Sequence, residues 1–206
     1  MASFVSTGRK IVAIGRNYAK HAKELGNAVP DKPFFFLKPT TSYVSSGGKV
    51  EIPRGVIVHH EVELGVVIGK TGRDIAASRA PDFVAGYGEG SDANTDMIPD
   101  MLDFIPKSSI SDPTNVNLWL KINGEFRQNG TTADMIFNIP QLIEHVSSIM
   151  TLEEGDLILT GTPEGVGAIK AGDTVTAGIQ LPGSDTTLAS LELDVVDRGG
   201  GYVFEA

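Results

Sequence analysis

Two glutamates alternate with apolar residues in one stretch of the chain. In residues 56–68, every even-numbered position except His60 is apolar, and Glu61 and Glu63 share the odd-numbered positions with His59. Because successive side chains of a β-strand point to opposite faces, the two carboxylates are predicted on one face, about 7 Å apart. A divalent cation such as Mg²⁺, Mn²⁺ or Ca²⁺ would relieve their repulsion. The pattern indicates either a metal site or a solvated polar face, with His60 a buried core histidine.

A histidine and a glutamate lie three residues apart in an earlier segment. His21 and Glu24 fall in a predicted helix from about residue 18 to residue 25, with Asn17 as its N-terminal cap. Side chains at i and i+3 project from the same helix face. A carboxylate that accepts from one imidazole nitrogen makes the other nitrogen a better base. The pair indicates either a general base, for water or for a carbon next to a carbonyl, or a surface ion pair.

A glycine-rich segment follows a predicted strand late in the chain. Residues 160–167 read Thr-Gly-Thr-Pro-Glu-Gly-Val-Gly. Glycines let a ligand approach the backbone, and free N–H groups together with threonine hydroxyls favour an anion. The segment is not a phosphate-binding loop, because the Gly-Lys-Ser/Thr sequence is missing. It indicates either an anion-binding loop or a tight turn between strands.

The elements that must position these residues are mostly strands. Apolar runs of strand length occur at residues 10–15, 34–37, 56–68, 118–122, 156–159, 174–179 and 188–196. Asn123-Gly124 predicts a type I′ hairpin, and apolar residues at helical spacing predict a helix at 139–149. The sequence therefore predicts a single, mainly β domain over residues 1–206, a rolled sheet or sandwich with two or three short helices.

An acidic segment interrupts this pattern. Residues 88–103 carry five acidic residues and no basic residue, and they include neighbouring glycines and no apolar alternation. Such a composition is typical of a loop. We therefore predict an acidic loop at 88–103.

The composition excludes several classes of protein. A net charge of −9 argues against nucleic acid and against an anionic membrane surface as partners. The absence of cysteine excludes disulfides, thiolate metal sites and cysteine nucleophiles. No apolar run approaches the roughly 20 residues of a membrane span. We find no clear targeting peptide at the N-terminus and expect an intracellular protein, cytoplasmic or mitochondrial.

The motifs, taken in order, resemble the fumarylacetoacetate hydrolase family, and within it the acylpyruvate hydrolase/oxaloacetate decarboxylase branch. The matching stretches are Gly15-Arg16-Asn17-Tyr18-x-x-His21-x-x-Glu24, Phe36-Leu37-Lys38-Pro39, His59-His60-Glu61-Val62-Glu63-Leu64, Asn123-Gly124-Glu125-Phe126-Arg127-Gln128, Met135-Ile136-Phe137 and Thr160-Gly161-Thr162-Pro163-x-Gly165-Val166-Gly167. They fall within residues 10–86 and 104–196. Each motif alone is weak, but the ordered set is highly specific.

The resemblance implies a fold, a cofactor and an assembly. The fold would be a mixed β-roll of the fumarylacetoacetase C-terminal type, and the protein would be a homodimer. Mg²⁺ or Mn²⁺ would be held by Glu61, Glu63 and a third carboxylate. Asp92 is the candidate for that third ligand, because it follows Tyr87 by five residues, in step with the family's ligand.

The resemblance also implies a reaction. His21 with Glu24 would activate water, and Arg16 and Thr162 would contact a small 2-oxo or 1,3-diketo acid. The cation would act as a Lewis acid on the carbonyl oxygen. Attack of hydroxide on the distal carbonyl of an acylpyruvate would break the C–C bond and leave the enolate of pyruvate, which oxaloacetate decarboxylation also yields.

The chain departs from the family pattern after Gly86-Tyr87. The insert before Phe104 is shorter than usual, and we find no counterpart of the family's arginine or active-site lysine there. A second hypothesis is therefore a catalytically impaired member that serves as a dimeric metal-binding or interaction protein. The intact pairs His21/Glu24 and Glu61/Glu63 favour the enzyme.

Overall fold

The fold is mainly β, as the sequence predicts. The computed structural model describes residues 4–93, 98–101, 104–184, 186–201 and 203–205, with the backbone alone for 89–93 and 98–101. The strands are β1 (Ile11–Gly15), β2 (Phe34–Lys38), β3 (Lys49–Ile52), β4 (Val58–His60), β5 (Val62–Ile68), β6 (Val84–Ala93), β7 (Ile98–Met101), β8 (Ile105–Pro106), β9 (Asn117–Ile122), β10 (Glu125–Thr131), β11 (Leu157–Leu159), β12 (Gly167–Ile169), β13 (Thr174–Gln180) and β14 (Thr187–Asp197).

Three short α-helices accompany the described strands. They are α1 (Phe4–Thr7), α2 (Ala19–Glu24) and α3 (Ile139–Ile149). Short 3₁₀ helices lie at Thr40–Ser42, Ala77–Phe83, Lys107–Ser109 and Thr132–Asp134. The longest of the described α-helices, α3, has 11 residues. A membrane-spanning helix needs roughly 20 residues, and no described helix is long and apolar enough to cross a membrane.

The largest sheet brings the predicted site segments together. Its strand order is β2-β1-β11-β5-β6-β7, with β8 paired to β6. Strands β1 and β11 run parallel, and β5 runs antiparallel to β11. The C-terminal ends of β1 and β11 therefore lie beside the N-terminal end of β5. This geometry gathers residues 16–18, the glycine-rich segment and the two glutamates at one edge of the sheet.

The strand predicted at 56–68 is in fact two strands that belong to different sheets. β4 pairs with β12 in a two-stranded sheet, with His60 opposite Gly167. β5 pairs with β11 and β6 in the large sheet. Glu61 lies between them, outside either strand. The prediction of one continuous strand was wrong, because the two halves have different partners far away in the sequence.

A second sheet covers the first and completes the core. Its order is β10-β9-β13-β14-β3. The large apolar cluster includes the even-numbered residues of β5, among them Val62 and Leu64. It also includes side chains of β9, β13, β14 and α3. Val67, at an odd-numbered position of β5, belongs to a smaller cluster around Phe4. The predicted alternation of faces is thus confirmed along β5. Glu63, at an odd-numbered position, lies on the face of the strand that points away from the large apolar cluster.

Two local predictions are confirmed. Asn123 and Gly124 have φ values of 52° and 82° and join β9 to β10, as a type I′ turn requires. Helix α3 spans the predicted residues, and its N-terminus carries a capping box in which the side chain of Asn138 accepts from the Gln141 amide.

Two other local predictions were wrong. Asn17 does not cap α2: the N-cap is Tyr18, whose side chain makes no capping bond. The acidic loop predicted at 88–103 is, in its described part, strand: β6 continues to Ala93, and β7 pairs with it. Hydrogen bonding to neighbouring strands overrides the weak local signal of this segment. Residues 94–97 and 102–103 lie outside the described residues.

Candidate active site

Asn17 joins the segments that carry the predicted site residues. Its side-chain amide donates to the carbonyls of Thr160, at 2.8 Å, and Phe137, at 3.0 Å. Its side-chain oxygen accepts from the Phe137 amide at 2.8 Å. The residue is fully buried, so each bond replaces water that the group has lost. Asn17 thereby fixes the start of α2 against the beginning of the glycine-rich segment.

The glycine-rich segment binds anions, but the anions are the protein's own carboxylates. The Gly161 amide donates to Oε2 of Glu63, and the Gly165 amide donates to both carboxylate oxygens of Glu24, at 3.3 and 3.2 Å. Gly161 has a φ of +94°, and a Cβ there would lie 2.8 Å from Cβ of Asn17. Glycine is therefore required at 161 for this close approach. One loop thus holds one carboxylate of each predicted pair.

His21 and Glu24 lie side by side on α2, as predicted. His21 is 5% exposed, and its Nδ1 lies 3.7 Å from Oε2 of Glu24. That distance is too long for a hydrogen bond, and Nδ1 makes none with a described residue. Burial lowers the pKa of the His21 imidazole, and the nearby Glu24 carboxylate partly opposes this effect. The imidazole is therefore neutral at pH 7, which is the state a base requires.

The two glutamates of the predicted metal site occupy neighbouring positions with different burial. Glu63 is 2% exposed, and Glu61 is half-buried. Strand register pairs Val62 with Ser91 and Glu63 with Gly90. Position 92 of β6 is the residue next to Ser91, in the first of these pairs.

The third predicted metal ligand stays a prediction. The backbone of Asp92 lies in β6, but its side chain lies outside the described residues. Among the side chains that the structure describes, no group of three or more His, Asp or Glu could hold a metal. The register nevertheless brings position 92 to the edge of the sheet where Glu61 and Glu63 lie.

Gln128 organises the site, although its residue type and spacing predicted no role for it. Its Oε1 accepts from the Val62 amide at 3.0 Å and lies 3.3 Å from Nδ1 of His60. Its Nε2 donates to Oγ1 of Thr162, at 2.7 Å, and to the Pro163 carbonyl, at 2.9 Å. Gln128 thus ties the strand of the glutamates to the glycine-rich segment. The prediction that His60 is a satisfied core histidine is confirmed, and burial lowers the pKa of its imidazole.

The two predicted substrate contacts are held in different ways. Thr162 is buried, and its hydroxyl donates to the Val62 carbonyl at 2.8 Å, between the two glutamates. Arg16 follows β1 with a φ of 52°, and its guanidinium carbon lies 4.7 Å from the ring centroid of Phe34. The structure therefore brings Thr162 to the glutamates and directs Arg16 onto an aromatic ring.

Comparison with known proteins agrees with this geometry. A family model described as fumarylacetoacetate (FAA) hydrolase C-terminal matches residues 10–101 and 101–196. The chain belongs to the fumarylacetoacetate hydrolase family. A mitochondrial oxaloacetate decarboxylase of Dictyostelium discoideum is 49% identical over 96% of this chain and 99% of its own length. A mitochondrial oxaloacetate tautomerase of Arabidopsis thaliana is 48% identical over 93% of this chain and 92% of its own length.

Solved structures show the same fold. The fumarylpyruvate hydrolase of Pseudomonas aeruginosa, in complex with Mn²⁺ and pyruvate, is 31% identical with a TM-score of 0.82, over 93% of this chain and 91% of that one. The yeast family protein ynq8 is 28% identical with a TM-score of 0.88, and the match covers both chains completely. The predicted mixed β-roll is therefore confirmed.

The comparisons also concern chain length and the segment that follows Tyr87. The alignment with the Dictyostelium protein extends over 220 positions, whereas this chain has 206 residues. That relative therefore has residues without a counterpart here. The two stretches matched by the family model meet at residue 101, inside the segment 88–103.

Proposed function

We propose that this chain is a divalent-metal-dependent enzyme that hydrolyses the C–C bond of acylpyruvates and decarboxylates oxaloacetate. One observation carries the proposal: amides of a single loop bind both Glu24, beside the base His21, and Glu63, of the predicted metal pair. The base and the cation site are therefore held in a fixed relation to each other. Small oxo acids are the substrates named for the Dictyostelium and Pseudomonas relatives.

The residues present fit a hard divalent cation. Glu61 and Glu63 offer oxygen ligands, which Mg²⁺ and Mn²⁺ prefer, and Asp92 would complete the set. The Gly161 amide already orients the Glu63 carboxylate, in the way that hydrogen bonds from outside the ligand set orient metal ligands. When bound, the cation supplies Lewis-acid polarisation of the substrate's carbonyl oxygen.

His21 moves the proton in this proposal. Its Nδ1 faces Glu24, so Nε2 is the nitrogen left to accept a proton from water. The carboxylate of Glu24, fixed by the Gly165 amide, stabilises the positive charge that then develops on the imidazole. The resulting hydroxide attacks the distal carbonyl of the acylpyruvate, whereas decarboxylation of oxaloacetate needs no attack by water.

The proposed function includes a cellular compartment and an oligomeric state for this protein. The names of the Dictyostelium and Arabidopsis relatives place those proteins in mitochondria. We propose the same compartment for this chain, and a homodimer as its working form. The alternative of a catalytically impaired family member is not favoured, because relatives at 48–49% identity are named as enzymes. The two residue pairs that the chemistry needs are also present.

The direct test is turnover of acetylpyruvate and oxaloacetate with added Mg²⁺ or Mn²⁺. We expect the wild type to consume both substrates and to lose this activity in EDTA. Glu61→Ala is expected to lower kcat/KM by about 100-fold, because a loss of cation chemistry worth about 3 kcal/mol corresponds to that factor. Glu192→Ala, which removes an exposed glutamate from β14, is the matched control and should retain full activity. A folded wild type without turnover on either substrate would reject the proposed function.

A further inference from the structure

A cavity of about 710 Å³ lies between the hairpin of β9 and β10 and residues 165–170, which include β12. We call it the hairpin cavity. The described residues that line it include neither the pair His21 and Glu24 nor the pair Glu61 and Glu63. Small-molecule sites in proteins commonly have volumes of about 300–1,000 Å³. The hairpin cavity is therefore large enough for a small ligand and is separate from the candidate active site.

Gln128 determines which nitrogen of His60 carries the proton. Its Oε1 accepts from the Val62 amide and its Nε2 donates to the Pro163 carbonyl, so the side-chain amide has only one possible orientation. Oε1 lies 3.3 Å from Nδ1 of His60 and can only accept a hydrogen bond there. Nδ1 is therefore the protonated nitrogen of the neutral imidazole, and Nε2 keeps a lone pair.

The second nitrogen of His60 faces the hairpin cavity. His60 is 2% exposed and lines the cavity. Its Nε2 makes no hydrogen bond with a described residue. A Cβ at Gly167, another lining residue, would lie 3.3 Å from this nitrogen. An acceptor on a buried side chain has lost most of its water, so a ligand that donates from a hydroxyl group would restore the missing bond.

Two cationic side chains line the same cavity, in a chain whose net charge is −9. Lys170 is exposed and makes no ion pair with a described residue. Nη2 of Arg127 lies 3.3 Å from Glu125, in an exposed pair of a kind that contributes little. Asp173 is the one carboxylate among the described lining residues, and its oxygens already accept from the Asn123 side chain and the Lys170 amide. The excess of positive charge favours an anion.

We propose that the hairpin cavity binds a small organic dianion that carries a hydroxyl group. The hydroxyl donates to Nε2 of His60, and the anionic groups lie against Arg127 and Lys170. Arginine binds carboxylates and phosphates through paired N–H donors, and lysine adds a point charge. The inference does not depend on the proposed function, because the described lining includes none of the proposed catalytic or metal-binding side chains.

L-Malate and succinate are probes that test the hydroxyl directly. Both are dianions at neutral pH, and malate differs from succinate by a single hydroxyl group. Calorimetric titration of the metal-free protein in EDTA should show one malate site per chain. Succinate should bind about 3- to 10-fold more weakly, the factor that one net hydrogen bond supplies. Equal affinities for the two dianions, or no binding of malate, would overturn the proposal.

Lys170→Gln places the bound anion in the hairpin cavity. The change removes one positive charge at an exposed position, so the fold should be unaffected, and malate should bind about 3- to 10-fold more weakly. Lys32→Gln is the matched control, because this exposed lysine precedes β2 and does not line the cavity. Since both variants lose the same charge, equal malate affinities of the two would count decisively against the proposed site.

Binding at the candidate active site has a different signature. EDTA keeps a divalent cation away from Glu61 and Glu63, whose carboxylates then disfavour a dianion. Malate binding that appears only after Mn²⁺ replaces EDTA would place the anion at the candidate active site and overturn the inference. A wild type without turnover would reject the proposed function and leave the titrations in EDTA unaffected, so the two failures are distinguishable.

Discussion

Replacement of His21 by glutamine should lower kcat for acetylpyruvate cleavage by about 10²- to 10⁴-fold, the usual contribution of a general base. Glutamine retains polarity and comparable size but cannot accept the proton from water. Since the imidazole makes no hydrogen bond with a described residue through Nδ1, the fold should tolerate the change. His145→Gln, on α3 and outside the site, is the matched control and should keep full activity.

The pH dependence of kcat/KM provides a second measure of the same role. Burial lowers the pKa of His21 below its ordinary value of 6.5. The base works only when neutral, so activity should be full above this pKa and fall as the pH drops through it. We therefore expect the midpoint of the acid limb below pH 6.5. An acid limb centred above pH 7, or a His21→Gln protein with wild-type kcat, would contradict the assignment.

Replacement of Gln128 by leucine should cost on the order of 3–5 kcal/mol of unfolding free energy. The change leaves the Val62 amide and the Pro163 carbonyl without their partner and removes the bond to Thr162. Each buried group left without a hydrogen bond costs about 1–3 kcal/mol. Urea unfolding of both proteins, followed by circular dichroism, measures the difference.

A second glutamine in a strand serves as the control for this prediction. Gln180 lies at the end of β13, and among the described residues its side chain makes one part-buried hydrogen bond, 3.4 Å long, to Thr187. Gln180→Leu should therefore cost less than about 1 kcal/mol. If Gln128→Leu were no more destabilising than Gln180→Leu, the organising role of Gln128 would be wrong.

The sequence predicted those elements whose geometry is decided within a few residues. Asn123-Gly124 adopts the two positive φ values that its turn needs, and no distant contact is required for that choice. Helix α3 follows from a capping box and an apolar stripe, both of which are local. Family resemblance supplied the overall β-roll, which local rules alone left as a roll or a sandwich.

Long-range pairing explains the predictions that were wrong. The break at Glu61 exists because His60 pairs with Gly167, whereas Val62 pairs with Ser91. Nothing in the alternating apolar pattern of residues 56–68 marks such a change of partner. Asn17 was expected to cap its own helix, but its side chain bonds to Phe137 and Thr160 instead.

Residue types and spacing indicated the two pairs of the candidate site but not its scaffold. Gln128 follows Arg127 in a strand that is mostly exposed, so its polarity suggested nothing unusual. A register shift between Phe126 and Gln128 accompanies its burial, and a shift of this kind changes which side chains face inward. The catalytic and metal-binding roles of the predicted residues stay predictions, including that of Asp92.

A crystal structure of the protein grown with Mn²⁺, with an anomalous difference map, would show whether Glu61 and Glu63 share a bound cation. We expect an anomalous peak coordinated by carboxylate oxygens of both Glu61 and Glu63. A well-ordered site with no peak, in which the two carboxylates point apart or are neutralised by neighbouring Arg or Lys without room for an ion, would contradict the account.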